Sequence, residues 1–125
     1  MSPALIPVIS IVDDDEGVRA AMERLMQAMG YSACTFASAE EFLKSEQVNN
    51  TSCLITDLHM PGLSGLDLQD RLIARGHRIP IIFITSQPDD VARTRAMNAG
   101  AVGFLSNPIT LDPLTDCLDA ALNAT

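Results

Sequence analysis

The feature that most constrains the fold of this chain is a set of short segments that are apolar at every position rather than at alternate ones. A strand that is covered on both faces, as in a parallel sheet packed between helices, requires such continuous apolarity. Four runs have this character, and a fifth, more polar one is typical of an edge strand. The four runs are residues 8–12, 53–56, 81–84 and 102–105, and the edge candidate is 31–36.

Each of these runs is followed by a segment with the apolar spacing of an amphipathic helix. The helical patterns begin near residues 16, 38, 64, 88 and 110, and Ile73 and Leu111 are expected on the inner faces of the third and fifth helices. Five repeats of a strand and then a helix predict an α/β fold with a doubly wound sheet and right-handed crossovers. A length of 125 residues fits one domain, so we expect a single domain over residues 1–125, with no output domain in this chain.

The charge of the chain argues against two classes of direct partner. Eight basic residues face sixteen acidic ones, which gives a net charge of −8. Direct binding to nucleic acid or to an anionic membrane needs a positive field, so neither is expected. Three cysteines without metal-ligand spacing are typical of reduced thiols, and no apolar run approaches the roughly 18 residues of a membrane span, so a cytoplasmic location is expected.

Polar residues follow the predicted strands where each strand ends, and ligands of open α/β sheets bind at that edge. Asp13 and Asp14 follow the first strand, Asp57 the third, Thr85 the fourth and Asn107 the fifth. Clustered carboxylates repel one another unless a cation neutralises them, and we expect the site to contain no lysine, arginine or paired histidine. A small set of oxygen ligands is typical of Mg²⁺, so the sequence predicts a magnesium site at this edge.

The chemistry expected at such a site is phosphoryl transfer. Mg²⁺ that is held by one or two carboxylates is commonly completed by phosphate oxygens, but no glycine-rich phosphate loop follows the first strand. The remaining option is a phosphoryl group received by the protein, with Asp57 as nucleophile and Thr85 as a hydrogen-bond donor. Two alternatives stay open here: Asp13 and Asp14 could serve only the start of the first helix, and Thr85 could merely end a strand.

Four segments together resemble the receiver domain of bacterial two-component response regulators, over essentially the whole length of the chain. They are residues 11–16, 54–65, 82–86 and 99–105. Residues 36–43 are similar to receivers that precede LuxR-type DNA-binding domains. The resemblance implies a flavodoxin-like fold with five helices and a five-stranded parallel sheet in the order 2-1-3-4-5.

The same resemblance implies a phosphorylation site. It makes Asp57 the phosphoacceptor, which receives its phosphoryl group from the phosphohistidine of a sensor histidine kinase. Asp14, Asp57 and the backbone carbonyl of His59 would bind Mg²⁺, with Asp13 contributing through a water molecule.

The resemblance also implies a switch. Thr85 would turn toward the phosphoryl group and Phe104 would change rotamer, which alters the surface formed by helix four, strand five and helix five. Receivers of this type often form homodimers through that surface. His59 and Gln87 would tune the lifetime of the phosphoryl group.

One position departs from the family pattern. Where the family ends strand five with lysine and then proline, this chain has Asn107 and Pro108, a pair that permits a cis peptide. Lys44, the only lysine, is expected on the helix after strand two, far from the site. Because a charge-assisted hydrogen bond is about twice as strong as a neutral one, we expect weaker phosphorylation and weaker coupling to the switch.

Three functional readings therefore compete. The first is a phosphorylatable receiver, a signalling domain that catalyses its own phosphorylation and dephosphorylation rather than a turnover enzyme. The second is a pseudo-receiver, an interaction module that keeps the fold without phosphate switching, which Asn107 favours. The third is an aspartate-nucleophile phosphatase, which ranks last because such enzymes need a second aspartate at the position of His59.

Overall fold

A computed structural model describes residues 6–123, in which all five predicted strands form one parallel sheet. The strand order is β2-β1-β3-β4-β5, so the predicted doubly wound α/β sheet and its order are confirmed. The expected domain, residues 1–125, includes residues 1–5 and 124–125, which lie outside the described part. The strands are β1 Val8–Val12, β2 Ser32–Phe36, β3 Cys53–Asp57, β4 Ile81–Thr85 and β5 Gly103–Ser106.

Five α-helices follow the strands, as predicted, and a short 3₁₀ helix, Glu46–Asn49, follows α2. Side-chain caps fix where four of them begin, because the unpaired N–H groups of a first helical turn need acceptors. The caps are Asp15, Ser38, Ser64 and Asp89. The helices are α1 Glu16–Ala28, α2 Ala39–Lys44, α3 Gly65–Ala74, α4 Asp90–Asn98 and α5 Leu111–Asn123.

The helices cover both faces of the sheet, which explains why the strands are apolar at successive positions. Helices α2, α3 and α4 pack on one face, where buried residues include Phe42, Leu68 and Phe83. Helices α1 and α5 pack on the other face, where Met26 and Leu118 are buried. Burial of apolar surface on both faces supplies the main stabilisation of such a three-layer domain.

Two residues that we expected on inner helix faces are exposed instead. Ile73 is 51% exposed and Leu111 is 57% exposed. Ile73 follows the buried Leu72, and successive residues of a helix point about 100° apart at 3.6 residues per turn, so Ile73 lies off the buried stripe. Leu111 is the first residue of α5, one turn ahead of Leu114, the first buried residue of that helix.

The winding of the chain reverses between β1 and β3, which lie side by side at the centre of the sheet. In the β1–β3 register Val12 pairs with Thr56, so Asp13 and Asp57 come next on neighbouring strands. The carboxyl ends of these two strands therefore lie at the crevice where α/β sheets bind ligands. Within residues 6–123, no helix combines the length and the apolarity needed to cross a membrane.

Candidate functional site

The structure brings three of the predicted acidic residues together at the carboxyl edge of β1 and β3. Asp13, Asp14 and Asp57 each offer one carboxylate oxygen, and these oxygens all lie within 4.8 Å of one another. Asp57 is the last residue of β3 and is half-buried, Asp13 is 7% exposed, and Asp14 is exposed. Three carboxylates at this separation repel one another when all are ionised.

Burial makes the carboxylates of this cluster weaker acids. Removal from water raises the pKa of Asp13 from 3.8 to about 6; a hydrogen bond from the Asp15 N–H opposes the shift, and the charges of Asp57 and Asp14 add to it. Removal from water also raises the pKa of Asp57. A hydrogen bond from the main chain of His59 lowers this pKa, and the charge of Asp14 raises it further by a smaller amount. The cluster therefore carries its full negative charge at a cost in free energy.

The donors of the cluster fit a small divalent cation. All three are carboxylate oxygens, which bind hard cations such as Mg²⁺ in preference to soft metals. A cation at this position would neutralise the charges of Asp57 and Asp14, which add to the rise that burial causes in the pKa of Asp13. His59 follows Asp57 by two residues and its side chain is exposed; its carbonyl oxygen as a further ligand stays a prediction.

One basic residue at this edge contradicts the expectation that no lysine or arginine lies there. Arg19, on α1, donates a hydrogen bond from Nη1 to the main-chain carbonyl oxygen of Asp13 at 2.7 Å. Arg19 does not directly follow a strand but reaches the site from the first turn of α1. Its spacing of six residues from Asp13, inside an amphipathic helix, is the only signal that could have indicated this contact.

Thr85 is the last residue of β4 and is fully buried. Its hydroxyl donates to the carbonyl oxygen of Gln87 at 2.8 Å and accepts from the Gln87 N–H at 3.1 Å. Both bonds lie within the loop that follows β4, and the Gln87 side chain is exposed. The hydroxyl is thus engaged locally and does not bond to any of the three carboxylates among the described residues.

The remaining predicted residues lie on or after β5. Phe104 is half-buried, and its ring centroid lies 6.0 Å from that of Phe83. Asn107 is exposed, donates its main-chain N–H to the carbonyl oxygen of Thr85 at 2.8 Å, and precedes Pro108 through a cis peptide.

Lys44 ends α2, which follows β2 at the opposite edge of the sheet. The only lysine of the chain therefore does not replace the family lysine.

The raised pKa of Asp13 predicts a pH-dependent stability for the metal-free protein. Because its folded-state pKa of about 6 exceeds 3.8, protonation favours the folded state; this contribution is complete below pH 3.8 and is lost as the pH rises through about 6. We expect Asp13→Asn, which keeps an oxygen to accept the Asp15 N–H, to increase the free energy of unfolding at neutral pH in the presence of a chelator. Urea unfolding across this pH range measures the effect.

The stabilisation by Asp13→Asn should shrink as the pH falls below the raised pKa, since the wild-type carboxyl is then neutral as well. Glu16→Gln, which removes a nearby exposed charge outside the cluster, is the matched control and should show no such pH dependence. An Asp13→Asn effect of constant size from acid to neutral pH would contradict this interpretation.

Comparison with known proteins gives consistent matches. The family described as "Response regulator receiver domain" matches residues 9–119. Nodulation protein W of Bradyrhizobium diazoefficiens is 42% identical over 114 residues, which are 91% of this chain and 50% of that protein. Response regulator protein TodT of Pseudomonas putida is 41% identical over 115 residues, 92% of this chain and 51% of that protein. The chain thus spans about half the length of these curated relatives.

Solved structures show the same fold. The response regulator StyR superimposes with a TM-score of 0.88 at 38% identity, covering 95% of this chain and 60% of that one. The crystal structure titled FixJ-N superimposes with a TM-score of 0.86 at 31% identity, covering 98% of both chains. Both the sequence and the backbone therefore match over nearly the whole of the described chain.

Proposed function

Since the chain belongs to the response regulator receiver domain family, we propose that it accepts a phosphoryl group on Asp57 in a Mg²⁺-dependent reaction. A receiver of this family works in two-component signalling rather than as a turnover enzyme, and its partner is a sensor histidine kinase. The single observation that carries the proposal is the convergence of the Asp13, Asp14 and Asp57 carboxylates within 4.8 Å. An aspartate that merely ended a strand would not need two further carboxylates beside it, whereas a site for a divalent cation does.

In the proposed reaction a carboxylate oxygen of Asp57 attacks the phosphorus atom. The new O–P bond forms as the P–N bond of the phosphohistidine breaks, and the electron pair of that bond stays on the imidazole nitrogen of the kinase. Asp14, Asp57 and the carbonyl of His59 would hold Mg²⁺, with Asp13 acting through water. The cation would neutralise the charge on the transferring group.

The proposed switch starts with the Thr85 hydroxyl. To donate a hydrogen bond to a phosphoryl oxygen, Thr85 must give up the bond that it donates to the Gln87 carbonyl oxygen, and it can keep the bond that it accepts from the Gln87 N–H. Phe104, which pairs with Phe83 in the β4–β5 register, would then change rotamer and alter the surface formed by α4, β5 and α5. The Gln87 and His59 side chains are both exposed, which suits a role in controlling access of water to the phosphoryl group.

We further propose that residues 1–125 are one receiver domain, located in the cytoplasm, which does not itself bind nucleic acid or membranes because of its charge of −8. A homodimer through the surface of α4, β5 and α5 is supported by exposed apolar side chains on these helices. Val91, Met97 and Leu111 are 81%, 40% and 57% exposed. That these three side chains form one interface patch is part of this proposal.

One observation favours the pseudo-receiver alternative. Asn107 occupies the position of the family lysine and offers no positive charge to a phosphoryl group. Beryllofluoride, which mimics a phosphoryl group on an aspartate, separates the two functions. With Mg²⁺ present we expect amide chemical shifts in NMR spectra to change around Asp57, Thr85 and Phe104, and to remain unchanged without Mg²⁺. A folded protein that shows no change in either condition would favour the pseudo-receiver.

We expect Asn107→Lys to enlarge the response to beryllofluoride at Phe104. A lysine ammonium would add a charge-assisted bond, about twice as strong as a neutral one, to the mimic. Asn49→Lys is the matched control, because Asn49 is exposed in the 3₁₀ helix that precedes β3 and so lies before the opposite end of that strand from Asp57. Equal shift changes at Phe104 in wild type, Asn107→Lys and Asn49→Lys would show that position 107 does not limit the switch.

A further inference from the structure

Arg19 takes no part in the phosphoryl transfer described above, yet it contacts the acidic loop between β1 and α1 at two points. Its guanidinium donates to the carbonyl oxygen of Asp13 at 2.7 Å, and its main-chain N–H donates to the carbonyl oxygen of Asp15 at 3.0 Å. The side chain is half-buried. Because a partly buried guanidinium is stable only where its hydrogen-bonding groups find partners, this contact holds the side chain in place.

The two contacts of Arg19 lie on either side of Asp14, but only the guanidinium contact with Asp13 depends on the side chain, since the bond to Asp15 is the ordinary i→i−4 main-chain bond of α1. The Asp13 end of the loop is also fixed by a bond from its N–H to the carbonyl oxygen of Phe36 at 3.1 Å, and by a bond from the Asp15 N–H to its Oδ1 at 2.8 Å. Asp14 itself makes no hydrogen bond within residues 6–123 and is exposed. The position of the Asp14 carboxylate therefore depends on the main chain of its two neighbours.

We propose that Arg19 is a positioning residue, whose guanidinium holds the main chain at Asp13 so that the carboxylate of the neighbouring Asp14 meets Asp57 around a divalent cation. The inference rests on the proposed Mg²⁺ site. Groups that orient metal ligands without touching the metal typically change affinity by about 10- to 100-fold when they are removed. Arg19 is such a group, because it bonds to the carbonyl oxygen and not to a carboxylate of the cluster.

The charge of Arg19 has the opposite effect on metal affinity from its hydrogen bond. A guanidinium close to the site repels a divalent cation, so loss of the charge alone would tighten Mg²⁺ binding. Loss of the hydrogen bond would free the Asp13–Asp14 main chain and weaken binding. The sign of the change thus separates positioning from simple electrostatics.

The test is the Mg²⁺ dissociation constant, measured by calorimetry for wild type, Arg19→Met and Arg24→Met. Methionine keeps an unbranched stem and removes the guanidinium. Arg24 is exposed on the same helix and has no described side-chain bond, so Arg24→Met is a control with the same change of charge. We expect about tenfold weaker binding in Arg19→Met and wild-type or slightly tighter binding in Arg24→Met.

Two further measurements keep the test decisive. In the metal-free protein, NMR relaxation should show greater mobility of the Asp14 amide in Arg19→Met than in Arg24→Met. Circular dichroism verifies folding, and Arg19→Gln serves the same comparison if Arg19→Met does not fold. A folded Arg19 variant that binds Mg²⁺ as tightly as wild type, or more tightly, would overturn the inference.

The wild-type titration separates this inference from the function on which it rests. If the wild type binds Mg²⁺ and Arg19→Met binds it equally well, only the positioning role fails. If the wild type binds no Mg²⁺ at millimolar concentration, the proposed metal-dependent function fails and the positioning role fails with it.

Discussion

Gly65→Ala is expected to destabilise the protein more than any other single-methyl change near the site. Gly65 opens α3, and its N–H donates to the carbonyl oxygen of Leu58 at 3.0 Å. A Cβ at this position would overlap the carbonyl oxygen of Asp57 and lie 3.1 Å from the ring of Phe83. Since the overlapped atom belongs to the backbone, no side-chain rotation relieves the clash, and overpacking of this kind costs about 1–3 kcal/mol or more.

The same change should also disturb the site, because α3 can only withdraw from Asp57 by moving the end of β3 or the loop after it. Gly17→Ala is the matched control. Gly17 lies in the first turn of α1, where an added Cβ would lie 3.2 Å from Asp15 Oδ1, a side-chain atom that can shift by a few tenths of an ångström, and alanine favours a helix over glycine by roughly 0.5–1 kcal/mol. Urea unfolding measures both variants. A free energy of unfolding for Gly65→Ala within about 0.5 kcal/mol of wild type would contradict the close approach.

Asp14→Asn is expected to have the largest effect on metal binding with almost none on stability. Asp14 supplies one of the three clustered carboxylates, but it is exposed and forms no hydrogen bond among the described residues. Loss of a group that merely orients a ligand costs about 10- to 100-fold in affinity, so loss of a ligand charge should cost at least about 100-fold in Mg²⁺ affinity. Beryllofluoride binding should fall with it, since the mimic needs the metal.

The control for Asp14→Asn is Glu16→Gln. Glu16 follows Asp14 by two residues, its side chain is exposed, and it lies outside the cluster, so this change also removes one negative charge. Calorimetry with Mg²⁺ should show near wild-type binding for Glu16→Gln, and urea unfolding should place both variants within about 0.5 kcal/mol of wild type. Equal losses of Mg²⁺ affinity in the two variants would mean that the general negative field, and not a ligand at position 14, binds the cation.

The sheet and the meeting of the carboxylates could be predicted from sequence because both follow from strand periodicity. Continuous apolarity identifies parallel strands covered on both faces, and parallel strands bring their carboxyl ends to one edge. Asp13 comes directly after the first run and Asp57 ends the third strand. Their proximity can therefore be predicted without knowing any side-chain conformation. The observed register, with Val12 opposite Thr56, is the physical reason that this prediction succeeded.

Features that depend on side-chain reach or on the approach of two backbones could not be predicted in this way. Arg19 reaches the site from a helix, and its direction depends on the rotation of α1 about its axis. Gly65 is required by contact with the Asp57 carbonyl, which no local pattern reveals. Ile73 and Leu111 fit an apolar repeat but fall outside the packed surface, because periodicity defines a stripe without defining its width or its ends.

The most direct test of the central claim is intact-mass spectrometry of the protein after incubation with acetyl phosphate, a small phosphoryl donor. With Mg²⁺ the wild type should gain the mass of one phosphoryl group, and the gain should disappear with a chelator and in Asp57→Asn. A folded wild type that gains no mass with Mg²⁺, or an Asp57→Asn variant that gains as much as the wild type, would contradict phosphorylation of Asp57.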